Sequence, residues 1–265
     1  MRTRRKAVQV LCILAYAPCN HCISVSHLSR RGLLRAASGS CALCLLPPAA
    51  TAASPSKEQT QRDYDFFAAE YDALDGGPLA AWLGIEDLRR SLPSPSGRVL
   101  DVAVGTGLNL RLYNLPGITH VDACDLSPGM LRQASARATA LGMSTTKLTL
   151  HEMDVERLQF ADGTFDTVVD TFSLCVFQDP VRALREMRRV CKSDGRVLLV
   201  ENSRSTSHLL AAYQDVTAPL AAQFGKGCAW NQDVEALLRE SGLRVVASRA
   251  VAGGLFRAFE CRPSV

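Results

Sequence analysis

Apolar positions along the chain change their rhythm several times, and each change marks an element. After about Glu58, the residues Phe66, Phe67, Tyr71 and Leu74 share one face of a helix that Gly76-Gly77 would end. Pro78 can open a second helix running to about Leu92, and 91–97 is a Pro/Ser/Gly hinge. Arg98-Val99-Leu100-Asp101-Val102 then reads as a short strand, followed by a turn at Gly105-Thr106-Gly107 and a helix to about Tyr113. Further strands are predicted at 120–124, 147–153, 165–170 and 196–200, with helices over 128–141 and from Asp179-Pro180, where Val181, Leu184, Met187 and Val190 share a side. Strands alternating with helices imply a parallel sheet with right-handed crossovers.

The end of the chain departs from that alternation. Trp230 to Gly242 reads as a helix capped by Asn231, and 243–251 and 255–261 read as a hairpin joined through Ala252-Gly253-Gly254. The expected fold is therefore α/β: a doubly wound, mostly parallel, Rossmann-like sheet of seven strands with an antiparallel last strand and an N-terminal helical cap. Such an ending is unusual for nicotinamide-binding domains.

Charge divides the chain in two. The 265 residues carry a net +4, yet residues 1–57 hold Arg2, Arg4, Arg5, Lys6, Arg30, Arg31, Arg35 and Lys57 and no acid. The remainder is net acidic, which argues against a basic nucleic-acid face. An acid-free, Arg-, Ser- and Ala-rich leader has the composition of a cleavable organellar presequence, here 1–53. Ala7 to Ala17 is too short to span a bilayer. Arg30-Arg31-Gly32-Leu33-Leu34, the apolar run from Cys41 and Ala50-Thr51-Ala52 together resemble a twin-arginine signal, which points to a chloroplast and its thylakoid. A mitochondrial presequence that happens to contain two adjacent arginines is the alternative.

Cysteine spacing offers a zinc reading that the surroundings weaken. Cys19-x-x-Cys22 and Cys41-x-x-Cys44 stand 18 residues apart, but neither pair has the following glycine of a tight zinc turn, and the second lies in the apolar run. No metal site is expected. The body cysteines 124, 175, 191, 228 and 261 show no close pair in sequence and read as core fillers.

Candidate chemistry begins at Asp101-Val102-Ala103-Val104-Gly105-Thr106-Gly107. A Gly-rich strand-to-helix turn lets a ligand approach the backbone. The third glycine of a dinucleotide fingerprint is absent, since Leu110 stands there. Asp125, 18 residues beyond Gly107 at the end of the next strand, is placed to accept both hydroxyls of a ribose. A plain helix N-cap ahead of Pro128 is the alternative, with Ser127 an equal candidate for that cap.

Five segments in order carry a resemblance: 99–107, 125–131, 153–160, 165–177 and 184–201. Together they resemble class I S-adenosylmethionine-dependent methyltransferases, in particular the quinone-biosynthesis-like (methyltransferase type 11) branch, over about Tyr64 to Cys261. Asn109 and Tyr113, Leu174-Cys175 and Cys228-Ala229-Trp230-Asn231 are similar to a narrower branch containing a yeast mitochondrial and animal thiol methyltransferase-like proteins. The resemblance implies a helical cap over 54–95 and an S-adenosyl-L-methionine-binding domain over 96–265, with a substrate lid at about 205–230.

It also implies roles. Asp101 would anchor the cofactor's amino group, and Gly105 and Gly107 would let its methionine part lie across the turn, with Ala103 standing where the family usually has glycine. Asp125 with Leu126 would hold the ribose, Asp154 and Val155 the adenine, and Asp170 and Thr171 would face the methyl group. The plainer alternatives are a short-helix cap for Asp154 and a simple chain turn for Asp170. No residue declares itself as a base; Asp170, His208 and Tyr213 are the weak catalytic candidates.

The apolar lid 209–224, facing Tyr64, Phe67 and Tyr71, suggests a small lipophilic acceptor, a quinone-like ring or a thiol, and leaves room for peripheral membrane association. The expectation is a methyltransferase enzyme. Its rivals are a non-catalytic S-adenosylmethionine-binding assembly factor and, behind it, a nicotinamide-dependent oxidoreductase.

Overall fold

The strand signals resolve into one sheet in the computed structural model, which describes residues 55–264 apart from 70, 73–80 and 225. Its strands are β1 (Gly97–Val102), β2 (Ile118–Asp125), β3 (Leu148–Glu152), β4 (Phe165–Thr171), β5 (Cys191–Asn202), β6 (Leu243–Val251) and β7 (Phe256–Pro263). They lie in the order β3-β2-β1-β4-β5-β7-β6. β1 through β5 pair parallel, whereas β7 runs antiparallel to β5 from Val197 opposite Cys261 to Asn202 opposite Phe256. The strand order reverses between β1 and β4, and that reversal opens a crevice at their carboxyl ends.

Helices cover both faces, as a parallel sheet requires. On one side Leu100, Val102, Val168, Val197 and Leu199 pack against Ala183, Leu184, Met187 and Val190 of α4 (Pro180–Val190) and against Val234 and Leu238 of α6 (Val234–Glu240). On the other, Val99, Val121, Ala123, Val169 and Leu198 pack with Ala134 of α3 (Pro128–Ala140). The alternation of Val99 and Leu100 between the two clusters is the period-two rule of a strand at work. Two helices precede the sheet, α1 (Lys57–Phe67) and α2 (Ile85–Arg90), and α5 (His208–Phe224) follows β5.

The helix starts follow from their caps. Ser56 Oγ accepts from Gln59 N at 3.3 Å, Ser127 Oγ from Met130 N at 3.1 Å and Asp179 Oδ1 from Arg182 N at 2.9 Å. Pro128 and Pro180 sit in the first turns, where their missing N–H costs nothing.

Several boundaries differ from the sequence reading. The last helix begins at Val234 and is capped by Asp233, whose Oδ1 accepts from Ala236 N at 3.0 Å; Asn231 instead donates to Asp215 at 3.1 Å. The helix expected from Gly107 to Tyr113 is a single 3-10 turn at Leu110–Leu112, because Asn109 and Tyr113 aim their polar groups at Asp101. The helix expected from Pro78 to Leu92 is seen as Ile85–Arg90, and Leu74 and Gly76 to Pro78 lie outside the described residues. So does the whole 1–53 leader, with its paired cysteines and twin arginine.

Candidate functional site

At the crevice between β1 and β4 lies a cleft of about 780 Å³, its solvent mouth included. Its wall includes seven of the nine expected cofactor residues: Ala103, Gly105, Asp125, Leu126, Asp154, Val155 and Thr171. The other two, Asp101 and Gly107, stand behind it.

Asp101 is fully buried at the end of β1. Its Oδ2 accepts the Tyr113 hydroxyl at 2.6 Å and its Oδ1 accepts the Asn109 amide at 3.2 Å. Burial pushes its carboxyl up to about 6, against the pull of those two donors. The Asn109 amide also donates to Thr171 Oγ1 at 3.1 Å, so one side chain ties the ends of β1 and β4 together.

The two glycines of the turn do different work. A Cβ on Gly105 would meet nothing nearer than the Ala103 carbonyl at 3.9 Å, leaving an open face beside the cleft. A Cβ on Gly107 would collide with Leu110 Cδ1 at 2.9 Å and with Ala134 at 3.3 Å, so this glycine lets α3 pack closely on the turn. Both have positive φ, 56° and 81°. Ala103 has φ 46° as well, a left-handed position that explains why glycine would be the easier residue there. Phe172, also lining the cleft, has φ 59°. Strained backbone of this kind collects at functional sites.

Asp125 closes the same corner. Its Oδ2 accepts Gly105 N at 2.9 Å and its Oδ1 accepts Ser127 N at 2.8 Å. Each oxygen keeps lone-pair capacity for a further donor. Burial pushes this carboxyl up to about 6, opposed by the two backbone donors. The helix cap is Ser127, so Asp125 is left for the cleft.

α1 crosses this face as a strap. Lys57 Nζ reaches Asp154 Oδ2 at 2.7 Å and Glu156 Oε2 at 2.6 Å. Gln61 donates to the Leu126 carbonyl at 2.9 Å, and Asp65 Oδ1 accepts both Ser127 Oγ at 2.6 Å and Gly129 N at 2.7 Å. A Cβ on Gly129 would strike Asp65 at 2.8 Å, so that glycine is what admits the strap. Asp72 pairs with Arg137 and accepts from Thr106 Oγ1 at 2.5 Å. Asp154 also caps the short turn 155–157 through Glu156 N at 2.9 Å, so it both caps and lines.

Deeper, two acids meet at the strand ends, Asp170 of β4 and Glu201 of β5. Ser173, on the cleft wall, donates its hydroxyl to Asp170 Oδ1 and its backbone N–H to Glu201 Oε1 at 3.1 Å. Asp170 Oδ2 and Glu201 Oε2 are buried without a hydrogen-bond partner among the described residues. Burial and then the neighbouring Asp170 push Glu201 well above the carboxylate range, and burial pushes Asp170 up to about 7.

Two of the catalytic candidates lie elsewhere. His208 is exposed at the start of α5, and Tyr213 is 40% exposed with its ring 5.8 Å from that of Trp230. Neither lines the cleft. The lid is also turned around: Leu209, Tyr213, Val216 and Leu220 face solvent, while Ala211 and the fully buried Gln214 face inward. Gln214 accepts Ser205 N at 2.8 Å and donates to the carbonyls of Ser203 at 3.0 Å and Trp230 at 2.9 Å. A three-bonded amide outweighs apolar side chains in deciding which face is buried.

Cys124, Cys175, Cys191 and Cys261 are buried as expected of core fillers, whereas Cys228 is half-buried and brings its sulfur to 2.8 Å from that of Cys175, with the Asn202 amide 3.3 Å away. Sequence reasoning missed Lys57, Gln61, Ser173 and Glu201 as parts of the site. Only Glu201 had a signal, as the acid that ends the β5 run. Among the described residues no group of three or more His, Cys, Asp and Glu is placed to hold a metal.

These features fit S-adenosylmethionine: an open glycine face, a two-oxygen carboxylate at the end of β2, and acids around a cleft that would receive a sulfonium. Residues 100–199 match the methyltransferase domain family. The chain is 37% identical over 163 residues to a phosphatidylethanolamine N-methyltransferase of Cereibacter sphaeroides, an alignment covering 60% of this chain and 77% of that one. The chain belongs to the methyltransferase family, and it is an S-adenosylmethionine-dependent enzyme. It is also 34% identical over 155 residues to the ubiquinone/menaquinone biosynthesis C-methyltransferase of Bdellovibrio bacteriovorus, over 56% of this chain and 63% of that one. To the mitochondrial methyltransferase OMS1 of Saccharomyces cerevisiae it is 28% identical over 167 residues, 58% of this chain but 35% of that longer one.

Proposed function

We propose that the enzyme methylates a small lipophilic acceptor, taken from or near a lipid surface. The observation that carries this reading is the outward apolar stripe of α5, with Leu209 85%, Val216 78% and Leu220 49% exposed. Exposed apolar side chains in such a row on a helix suit contact with a membrane interface. No helix among the described residues is long and apolar enough to cross a membrane. Two relatives named above act on a phospholipid and in quinone biosynthesis, which supports the same class.

In this reading Asp125 holds the ribose, Asp154 and Val155 the adenine, and Asp101 acts through Asn109 and Thr171 to fix the methionine end. Bound S-adenosylmethionine supplies a methyl group already activated on a cationic sulfur. The chain then has to orient the acceptor, keep water out and provide a place for a proton. Ser173, on the cleft wall and bonded to Asp170, offers such a place.

The leader carries the organelle address in this proposal. The mitochondrial relative in yeast favours the mitochondrial form of that address over the plastid form. The experiment is to incubate the enzyme with isotope-labelled S-adenosylmethionine and an organelle extract split into lipid and aqueous fractions. Label in an identified lipid is the expected result; label confined to the aqueous fraction would overturn the reading.

A further inference from the structure

Lys226 lies in the turn after α5 with its ammonium 4.8 Å from the ring centre of Tyr64, 4.5 Å from Phe67 and 5.3 Å from Tyr71. The rings come from positions i, i+3 and i+7 of the N-terminal segment, the spacing that puts three side chains on one helix face. Tyr64 and Tyr71 also line the cofactor cleft, and their own centroids stand 6.2 Å apart. Three rings converging on one cation form an aromatic cage, the arrangement that recognises alkylammonium groups. The cation now in the cage is tethered and held under strain. Lys226 has φ 57° and is followed by Gly227 at φ 88°, whose missing Cβ lets the turn sit against Pro55.

We propose that the Tyr64–Phe67–Tyr71 cage is the recognition site for the ammonium head of an ethanolamine-type acceptor, and that Lys226 occupies it until the acceptor displaces it. This rests on the methyl-transfer reading above and narrows its acceptor to a lipid amine. The surroundings suit a cation, since among the described residues the adjoining cleft wall carries Asp125, Asp154 and Glu156 against Lys57, and the Lys226 ammonium would leave the cage on exchange. A phosphoethanolamine head offers an exchange: its ammonium enters the cage while the released Lys226 pairs with its phosphate. The chemistry balances. The acceptor ammonium gives one proton to solvent by way of Ser173 and Asp170, the nitrogen lone pair forms the N–C bond as the S–C bond breaks, and the product is an ammonium richer by one methyl beside a neutral thioether. Substrate and product therefore both present the cation that the cage reads. The exposed Phe66, adjacent to the cage residue Phe67, favours a membrane lipid over a free headgroup as the source.

The first test needs no turnover. The full chain is titrated with tetramethylammonium chloride by calorimetry against a sodium chloride control. Weak binding is expected, tightened about tenfold in Lys226→Met and lost in Phe67→Leu, with Phe67→Trp retaining it as a check that the helix still folds. Absence of binding in both wild type and Lys226→Met, or binding indifferent to Phe67→Leu, would overturn the cage. The second test supplies labelled S-adenosylmethionine with vesicles containing phosphatidylethanolamine, vesicles containing a hydroquinone, or soluble phosphoethanolamine. Labelling of phosphatidylethanolamine, with a KM raised about tenfold in Phe67→Leu, supports the proposal. Labelling of the hydroquinone alone overturns the amine acceptor but leaves the lipophilic one standing. Labelling of phosphoethanolamine alone overturns the lipid source, and labelling of nothing lipophilic overturns the functional reading while tetramethylammonium still reports on the cage.

Discussion

The Tyr113 hydroxyl donates to Asp101 across 2.6 Å, and with Asn109 it is what keeps a fully buried carboxylate ionisable near neutral pH. Burial raises Asp101 and Asp125 to about 6 and Asp170 to about 7. Unfolded, these groups lose their protons near the ordinary value of 3.8. Between that value and about 7 the folded chain therefore holds more protons than the unfolded one, and stability of the ligand-free enzyme falls as pH rises through that window. Glu201, raised further still, carries the decline beyond that window, and thermal unfolding at a series of pH values from 5 to about 8 should show stability falling throughout.

Cofactor binding should run the other way. In the proposed placement, a ribose donating to Asp125 and a cation near Asp101 would both favour the carboxylates, so affinity should rise with pH and binding should release protons. Calorimetry of S-adenosylmethionine binding in buffers of different ionisation enthalpy measures that release. Tyr113→Phe removes a donor that lowers Asp101, and should move the midpoint of the affinity profile to higher pH. An unmoved midpoint would place the titration elsewhere.

Lys57 bridges Asp154 and Glu156 at 2.7 and 2.6 Å, and Glu156 is nearly buried. Lys57→Met should lower stability by about 1 kcal/mol, the modest figure suited to a partly exposed ammonium. It should also weaken cofactor binding several-fold by loosening the strap. Unchanged affinity in this variant would mean that α1 plays no part in holding the cofactor.

Ala103 occupies a left-handed position, at φ 46°. Ala103→Gly should stabilise the chain by about 1 kcal/mol, a rise of about 2–4 °C in Tm for a domain of this size. Because the methyl group borders the cleft, cofactor affinity should hold or improve in the same variant.

Cys228 is the half-buried thiol of its pair, whereas Cys124, Cys175, Cys191 and Cys261 are buried. Among the described residues, brief alkylation of the native enzyme should mark Cys228 first. Burial, on top of its bond with Cys228, raises the Cys175 thiol and keeps it unreactive. Peptide mapping by mass spectrometry gives the order directly, and early labelling of Cys175 would show that the turn after α5 opens readily.

The parallel sheet and the placing of Gly105 and Asp125 at one corner of the cleft were legible in the sequence because they depend on local signals. A strand ending in Asp, a turn with Gly105, and Asp125 at the close of the next strand are read within thirty residues of one another. The facing of α5 was not legible, because its apolar residues outnumber Gln214, and only the tertiary partners at Ser203, Ser205 and Trp230 show that the amide side is buried. Lys57 and Glu156 are 99 residues apart, and no periodicity announces such a contact. The short turn at Leu110–Leu112 went the same way, since its helical signal yields to two side chains bound for Asp101.

The strap has a consequence for processing. Its first anchor, Lys57, follows the Ser56 cap by a single residue and stands only a few positions beyond the small-residue site expected at 50–52. A peptidase that cut at that site would leave the anchor in place, whereas one that trimmed past Lys57 would free Asp154 and strip Glu156 of its counter-charge. Maturation would then be a matter of position as much as of occurrence, with two proteoforms differing by a handful of residues and by their hold on the cofactor.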